Sequence, residues 1–439
     1  MLAIPFLTQL DSRAAVKGSR DPLGVQPIWS RLGRHVVGNL TTVSNSVTDF
    51  TVLLLGYYFA ERVASETHVD EYVTTFLKWE QLAAYARAAR NNERSFRGTE
   101  RVARRLSESK TAPLGMGSDA QILSNQKIYG LWGLYSVPGK ASGLLEGDPT
   151  HLTSVARDLV EQVHLPLLAK AGLRGVRTLI ERLSSEHGFL DLREHGRDEA
   201  LLDSIARVLG TLRAPEKALY REHLLYGGPG DREATHGLQR AFADVLESTL
   251  DDPDWRVTPE SILFLAHRAR AMGTAGEALA NRLERIRTCE LLIAPTVALF
   301  EHTLNHEGQS LQAIAQAVRE HWGTAPRDTI DLGATEAIEP ELRAGTGEPE
   351  SGTRWMRLAR ALHGGDYEEA IRLVLEQNAT IMKARGDAAP WARLADGKLH
   401  VNLRDDSSPR LPPGERLPLY WRHAYFIDSL RSVAFALRA

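Results

Sequence analysis

Cysteine is nearly absent from the chain: Cys289 stands alone in 439 residues. A single thiol excludes an intramolecular disulfide and every zinc site that needs paired cysteines, and a reducing, cytoplasmic location follows most simply. Long apolar runs are missing too. The most apolar segment, Val52 to Phe59, is eight residues long, far short of the roughly 20 that cross a bilayer, so no membrane insertion is expected. Met1 to Asp11 has a short apolar segment but no basic region ahead of it and no small-residue cleavage site, which makes it a poor signal peptide. A global excess of positive charge is lacking as well. The net charge is −3, so any nucleic-acid footprint has to be local.

Catalytic signatures are equally scarce. There is no Gly-x-x-x-x-Gly-Lys-Ser/Thr loop and no Gly-x-Gly-x-x-Gly after a strand, so the usual phosphate cradles of nucleotide and dinucleotide chemistry are missing. No Gly-x-Ser-x-Gly elbow occurs. Neither a cofactor nor a catalytic residue nor a metal site is assigned. Three constellations come nearest. His302 and His306 lie four apart on a helix, as a metal pair would, but Thr303 stands where the zinc-protease pattern needs Glu. Asp396-Gly397-Lys398 with Asp387 upstream offers the acid-x-Lys element of metal-dependent nucleases, yet Asp-Gly is also what a tight hairpin turn needs. Arg182 to His187 and Arg357 to His363 have spacings similar to those of helical RNases, which chance also produces among fifteen histidines.

What is present is helical periodicity in a composition of 43% hydrophobic and 25% charged residues, that of a soluble globular protein of several domains. The expected class is mainly α and multi-domain. Residues 1–40 read as an irregular basic arm packed along the body. Residues 41–165 read as a helical unit with a small β-hairpin, 166–325 as a helical domain without a constant repeat, and 326–353 as a linker or loop. That last stretch holds seven acidic residues against Arg327 and Arg343, with Gly and Pro throughout. Residues 354–439 read as helix, helix, hairpin, helix. Thr258-Pro259 and Asp366 with Glu369 are helix starts, Pro295 should kink or divide the longest helix, and Asp396-Gly397 marks a hairpin.

Within 41–165, Ser118 to Val163 is the most organised stretch. Ile122, Leu123, Ile128, Leu131, Trp132 and Tyr135 approach a 3.6-residue period, which predicts a helix over 119–135 that Pro138 and Gly139 stop. Two short apolar segments then flank the turn Gly147-Asp148-Pro149, and Thr153 or Ser154 can cap a closing helix. This order resembles the second half of a winged helix-turn-helix domain, over about a tenth of the chain and without an invariant residue. An ordinary helix pair joined by a hairpin gives the same pattern.

The charge supports the resemblance. From Lys78 to Lys140 eleven Lys and Arg face five Asp and Glu, a balance of +6 in a chain of −3, so the remainder carries −9. Arg87, Arg90, Arg94, Arg97, Arg101, Arg104 and Arg105 recur every three or four residues, although Glu93, Glu100 and Glu108 would also balance them as a solvated face. These arginines with Lys110, Lys127 and Lys140 are the expected phosphate contacts. Gln121, Ser124, Asn125 and Gln126, on the first turns of the expected helix, could read base edges. The leading expectation is a non-enzymatic DNA-binding subunit, duplex DNA being its ligand, in a bacterial multi-protein system such as phage defence, with the other subunits as partners. A structural or adaptor subunit using the winged helix for protein contacts, and a metal-dependent nuclease, are the alternatives.

Overall fold

The structure is a computed structural model that describes residues 21–67, 71–169, 176–185, 188–229, 237–345, 349–403 and 411–438. It is mainly helical, and the strands among the described residues form three two-stranded antiparallel ladders. Two units divide the chain, each discontinuous in sequence. One joins the described residues up to Val36 to Asp252–Ile427, and the other joins Val37–Asp251 to the segment that begins at Asp428.

In the second unit, helices Val47–Thr67 and Tyr72–Arg90 form the centre. Every residue from Thr75 to Ala88 is buried, so this helix is enclosed on all sides rather than amphipathic. Tyr57, Phe76 and Trp132 pack ring against ring at centroid distances of 5.2 Å. At Gly56 the helices approach so closely that a Cβ would lie 2.6 Å from the Phe76 ring. Most enclosed polar residues of the central helix find partners, although the Thr75 hydroxyl is buried without one among the described residues. Trp79 Nε1 donates to Val52 O at 2.9 Å, and Lys78 Nζ donates to Leu183 O and Ser185 O at 3.0 and 2.8 Å.

The expected helix over 119–135 is replaced by turns followed by two helices, Gln126–Tyr129 and Leu131–Ala141. The break has a local cause. The Asn125 side chain accepts from Ile128 N at 3.3 Å and caps the first helix, and Gly130 separates the two. Pro138 and Gly139 lie inside the second helix instead of stopping it. Beyond it Leu145–Glu146 pairs with His151–Leu152, and helix Ser154–Leu159 follows. A second ladder, Thr111–Leu114 with Gly188–Asp191, closes over a long sequence separation that periodicity alone does not reveal.

In the first unit the 30-residue helix Thr274–Thr303 is the spine. Pro295 lies inside it without dividing it. Helix Pro259–Arg270 packs beside the spine, opened by Thr258, whose side chain accepts from Ser261 N at 3.1 Å. The described residues of 326–353, read as a linker, instead form most of helix Ala325–Thr329, helices Leu332–Ala337 and Glu339–Leu342, and the start of Pro349–Gly364. Pro326 and Pro340 occupy first-turn positions, where a missing N–H costs nothing. Ile330, Ile338 and Leu342 are buried, while Glu341 and Glu339 pair with Arg285 and Arg343.

The described part of the N-terminal arm is likewise structured. Helix Gln26–Arg34 follows Leu23 and Pro22, whose carbonyls accept from Gln377 Nε2 and Asn378 Nδ2 at 2.9 Å each. Asp396 and Gly397 both adopt positive φ, +52° and +73°, as a two-residue turn between Ala392–Ala395 and Lys398–Val401 requires.

Candidate nucleic-acid interface

The seven arginines of the basic stretch fall on three different elements. Arg87 and Arg90 are on the central helix, Arg94 and Arg97 are in the connection after it, and Arg101, Arg104 and Arg105 are on helix Thr99–Glu108. Their roles differ accordingly. Arg87 is buried and pairs with Asp49 and Glu93 at 2.6 Å each, and those ion pairs outweigh burial and hold its guanidinium above the ordinary arginine range. Arg90 pairs with Asp203 at 2.7 Å and Glu199 at 3.7 Å. The Arg87 charge is neutralised inside the fold and that of Arg90 by two part-exposed acids, which makes both poor candidates for the expected phosphate contacts.

The next group is arranged differently. Arg97 Nε donates to Tyr129 O at 2.7 Å, and Arg101 donates to Gln121 O and Leu123 O at 2.9 and 3.2 Å. Arg105 donates to the Tyr85 hydroxyl at 3.0 Å and to the carbonyl of Asp119. Together they fasten the loop Gly115–Gly130 to helix Thr99–Glu108 and to the connection that precedes it. A guanidinium that bonds to carbonyls keeps its whole charge, unlike one facing a carboxylate. Arg94, Arg104, Lys110 and Lys127 are exposed and, among the described residues, form no ion pair. Lys140, also exposed, donates to Gly147 O at 2.8 Å.

The loop hangs on one buried amide. Gln126 Nε2 donates to Leu77 O at 3.1 Å and to Glu80 Oε2 at 2.8 Å. Its Oε1 accepts from Gln81 Nε2 at 3.0 Å and Ile122 N at 3.2 Å, so all four hydrogen-bonding positions of the side chain are used. Glu80 also accepts from Leu131 N at 2.7 Å, which satisfies the start of the next helix. Burial pushes the Glu80 carboxyl up to about 7, against the opposing pull of the Gln126 and Leu131 hydrogen bonds. Gln126 is therefore a structural hub and cannot read a base edge. Asn125 is a helix cap, and Gln121 donates to Met116 O at 2.7 Å while accepting from Gln126 N. Ser124 alone of the four polar readers is exposed without such a bond.

Three apolar side chains that sequence reading missed share this loop. Met116, Ile128 and Tyr129 are 44%, 54% and 41% exposed. Ile128 was expected on an inner face, and the Asn125 cap with Gly130 is the signal that would have turned it outward. Helix Thr99–Glu108, its flanks and this loop thus hold Arg97, Arg101, Arg104, Arg105, Lys110 and Lys127 together with these three exposed side chains, and Glu100, Glu108 and Asp119 are the acids of the same segments.

The other constellations do not assemble a site. Asp387, Asp396 and Lys398 are all exposed, and the last two flank a hairpin tip. His302 and His306 turn their Nε2 atoms toward each other at 3.0 Å. Burial, with His306 and His321 adding positive potential, lowers the His302 imidazole to about 4. Among the described residues no group of three His, Cys, Asp or Glu is placed to hold a metal ion. Arg357 pairs with Glu369 at 2.8 Å, while the Arg182 to His187 spacing ends outside the described residues. No described helix is long and apolar enough to cross a membrane. Comparison with protein-family models, with curated proteins and with solved structures finds no match for the chain.

Proposed function

We propose that the chain is a non-enzymatic nucleic-acid-binding protein that takes duplex DNA on the surface formed by helix Thr99–Glu108 and the loop Gly115–Gly130. One observation carries this reading: Arg97, Arg101 and Arg105 are held by backbone carbonyls rather than carboxylates, so three unneutralised guanidinium groups are fixed along the loop that exposes Tyr129. Ordered guanidinium groups suit phosphate oxygens, and Arg104, Lys110 and Lys127 extend the array with mobile cations. Ser124 and Tyr129 are the side chains available to bases. The winged-helix comparison enters this reading only as the order helix, two-stranded hairpin, helix over 131–159. A filter-binding titration on duplex DNA tests the proposal, since affinity carried by phosphate contacts falls steeply as salt rises.

The exposed Met116, Ile128 and Tyr129 favour one second reading, an adaptor surface for another protein subunit, because apolar side chains ringed by arginine are also the composition of protein interfaces. Binding to a protein partner with little salt dependence and no affinity for DNA would select it. In either reading the setting we propose is a cytoplasmic, bacterial multi-protein system, such as one of phage defence.

A further inference from the structure

In the first unit, a cavity of about 300 Å³ opens between helix Gln26–Arg34, the spine helix and the segment around His423. That size is at the low end of small-molecule sites. Trp29 and Trp391 form its aromatic walls with Leu304, and its polar lining includes Asp21, Glu301 and His423. The ring of Trp29 lies over that of His423, with centroids 6.1 Å apart and planes inclined by 29°.

The state of each polar group follows from its partners. Glu290, fully buried behind the cavity, accepts from the backbone N–H groups of Arg422 and His423 at 2.5 and 3.1 Å and from the Tyr425 hydroxyl at 3.0 Å. It also meets His423 Nδ1 at 2.8 Å. A carboxylate held by three other donors makes Nδ1 a protonated nitrogen of the ring; in the neutral ring Nε2 is then an acceptor, and it has no partner among the described residues. Arg422 is used up on both oxygens of Glu301, at 2.6 and 2.7 Å, and on the Tyr420 hydroxyl at 3.1 Å, so it offers nothing to an incoming anion. Asp21 accepts from Val25 N at 2.7 Å, Gln26 N at 3.0 Å and Arg385 at 3.3 Å. Arg422 and Arg385 offset the charges of Glu301 and Asp21, but each carboxylate still has lone pairs to offer an N–H donor. Acceptors between aromatic walls thus dominate the cavity.

We infer that this cavity binds a small organic cation, an arylalkyl- or alkylammonium whose apolar body lies between Trp29 and Trp391 and whose N–H groups bond to His423 Nε2 and the Asp21 and Glu301 carboxylates. Aromatic faces favour a positive charge, and the acceptor atoms of Asp21, Glu301 and His423 favour its N–H groups. The site is in the other unit from the proposed DNA surface and does not rest on that reading. Calorimetric titration of the full-length protein with phenethylammonium, phenylpropionate and phenethyl alcohol tests it. The ammonium should bind, quenching tryptophan fluorescence, with at least tenfold preference over the alcohol and no detectable binding of the carboxylate. His423→Asn keeps a donor toward Glu290 but deletes the Nε2 acceptor, and Asp21→Asn removes the charge while keeping one oxygen for Val25 N, at the loss of the acceptor for Gln26 N and Arg385. Each variant, shown folded by its circular dichroism and melting curve, should weaken ammonium binding about tenfold. Equal affinity for the three probes, no binding of the ammonium at millimolar concentration, or unchanged affinity in both folded variants would overturn the inference.

Discussion

Replacing Glu80 with Gln should remove a pH dependence of stability that this one carboxyl creates. The sign follows from its displacement. In the folded chain the group holds its proton up to about 7, against an ordinary value of 4.5. Between those limits the folded state binds a proton that the unfolded state has released, so stability is greatest below pH 4.5 and declines as pH rises through about 7. At about 1.36 kcal/mol per pH unit, the whole effect is about 3 kcal/mol, of which 2 to 3 kcal/mol falls between about pH 5 and pH 8. The Gln variant cannot titrate. It also has one acceptor where Leu131 N and Gln126 Nε2 need two, so it carries a constant penalty of about 1–3 kcal/mol. Its unfolding free energy should therefore lie below that of the parent near pH 5 and approach or pass it near pH 8. Urea unfolding of both proteins across this range, with hydrogen exchange of helix Tyr72–Arg90 reporting on that unit alone, measures the difference. Parallel pH profiles for parent and variant would refute the reasoning, because they would mean that the buried carboxyl does not change its proton on unfolding.

Three further outcomes follow from the same geometry. Arg87→Ala leaves Asp49 buried without its main partner and should cost about 3–5 kcal/mol in urea unfolding. Arg101→Ala frees the carbonyls of Gln121 and Leu123 and should cost about 1–2 kcal/mol, with faster hydrogen exchange across 115–130, whereas Arg104→Ala should leave stability within about 0.5 kcal/mol of the parent. The His302 imidazole should titrate near 4 by NMR, well below the ordinary 6.5; because the folded state then resists protonation, His302 lowers stability as pH falls from 6.5 toward 4, and a measured value above 6 would contradict its burial.

Much of the fold could be read locally. Thr258 and Asp366 act as helix starts because their side chains reach an N–H three residues on, a relation contained within four positions. The Asp396-Gly397 turn is legible for the same reason. Misreadings arose where a residue's meaning depends on distant partners. The acidic, proline-bearing stretch 326–353 resembles a linker by composition, yet its prolines open helices and Arg285 supplies a partner for Glu341. Ile128 fits an inner face only if the helix is continuous, and the Asn125 cap breaks it.

The candidate surface was half legible. Sequence located the positive stretch but not the fate of each charge. Arg90 meets Asp203 across 113 positions of sequence and is neutralised, while Arg101 meets loop carbonyls about 20 residues away and is not. Spacing of three or four residues also implied a common face that the change of element after Arg90 removes. Gln126 illustrates the reverse error: a polar side chain in a basic stretch invites a binding role, but enclosure under Glu80 and Gln81 makes it part of the core.

The salt dependence of duplex-DNA binding, compared between the parent and the triple variant Arg104→Ala, Lys110→Ala, Lys127→Ala, tests the central claim most directly. These three side chains are exposed and form no ion pair among the described residues, so the variant should fold as the parent does. Phosphate contacts by all six cations of the surface give a slope of log affinity against log salt of about −5, and removal of three should bring it to about −2 to −3 with weaker binding at every salt concentration. Absence of binding at low salt, or an unchanged slope in the folded triple variant, would contradict the account.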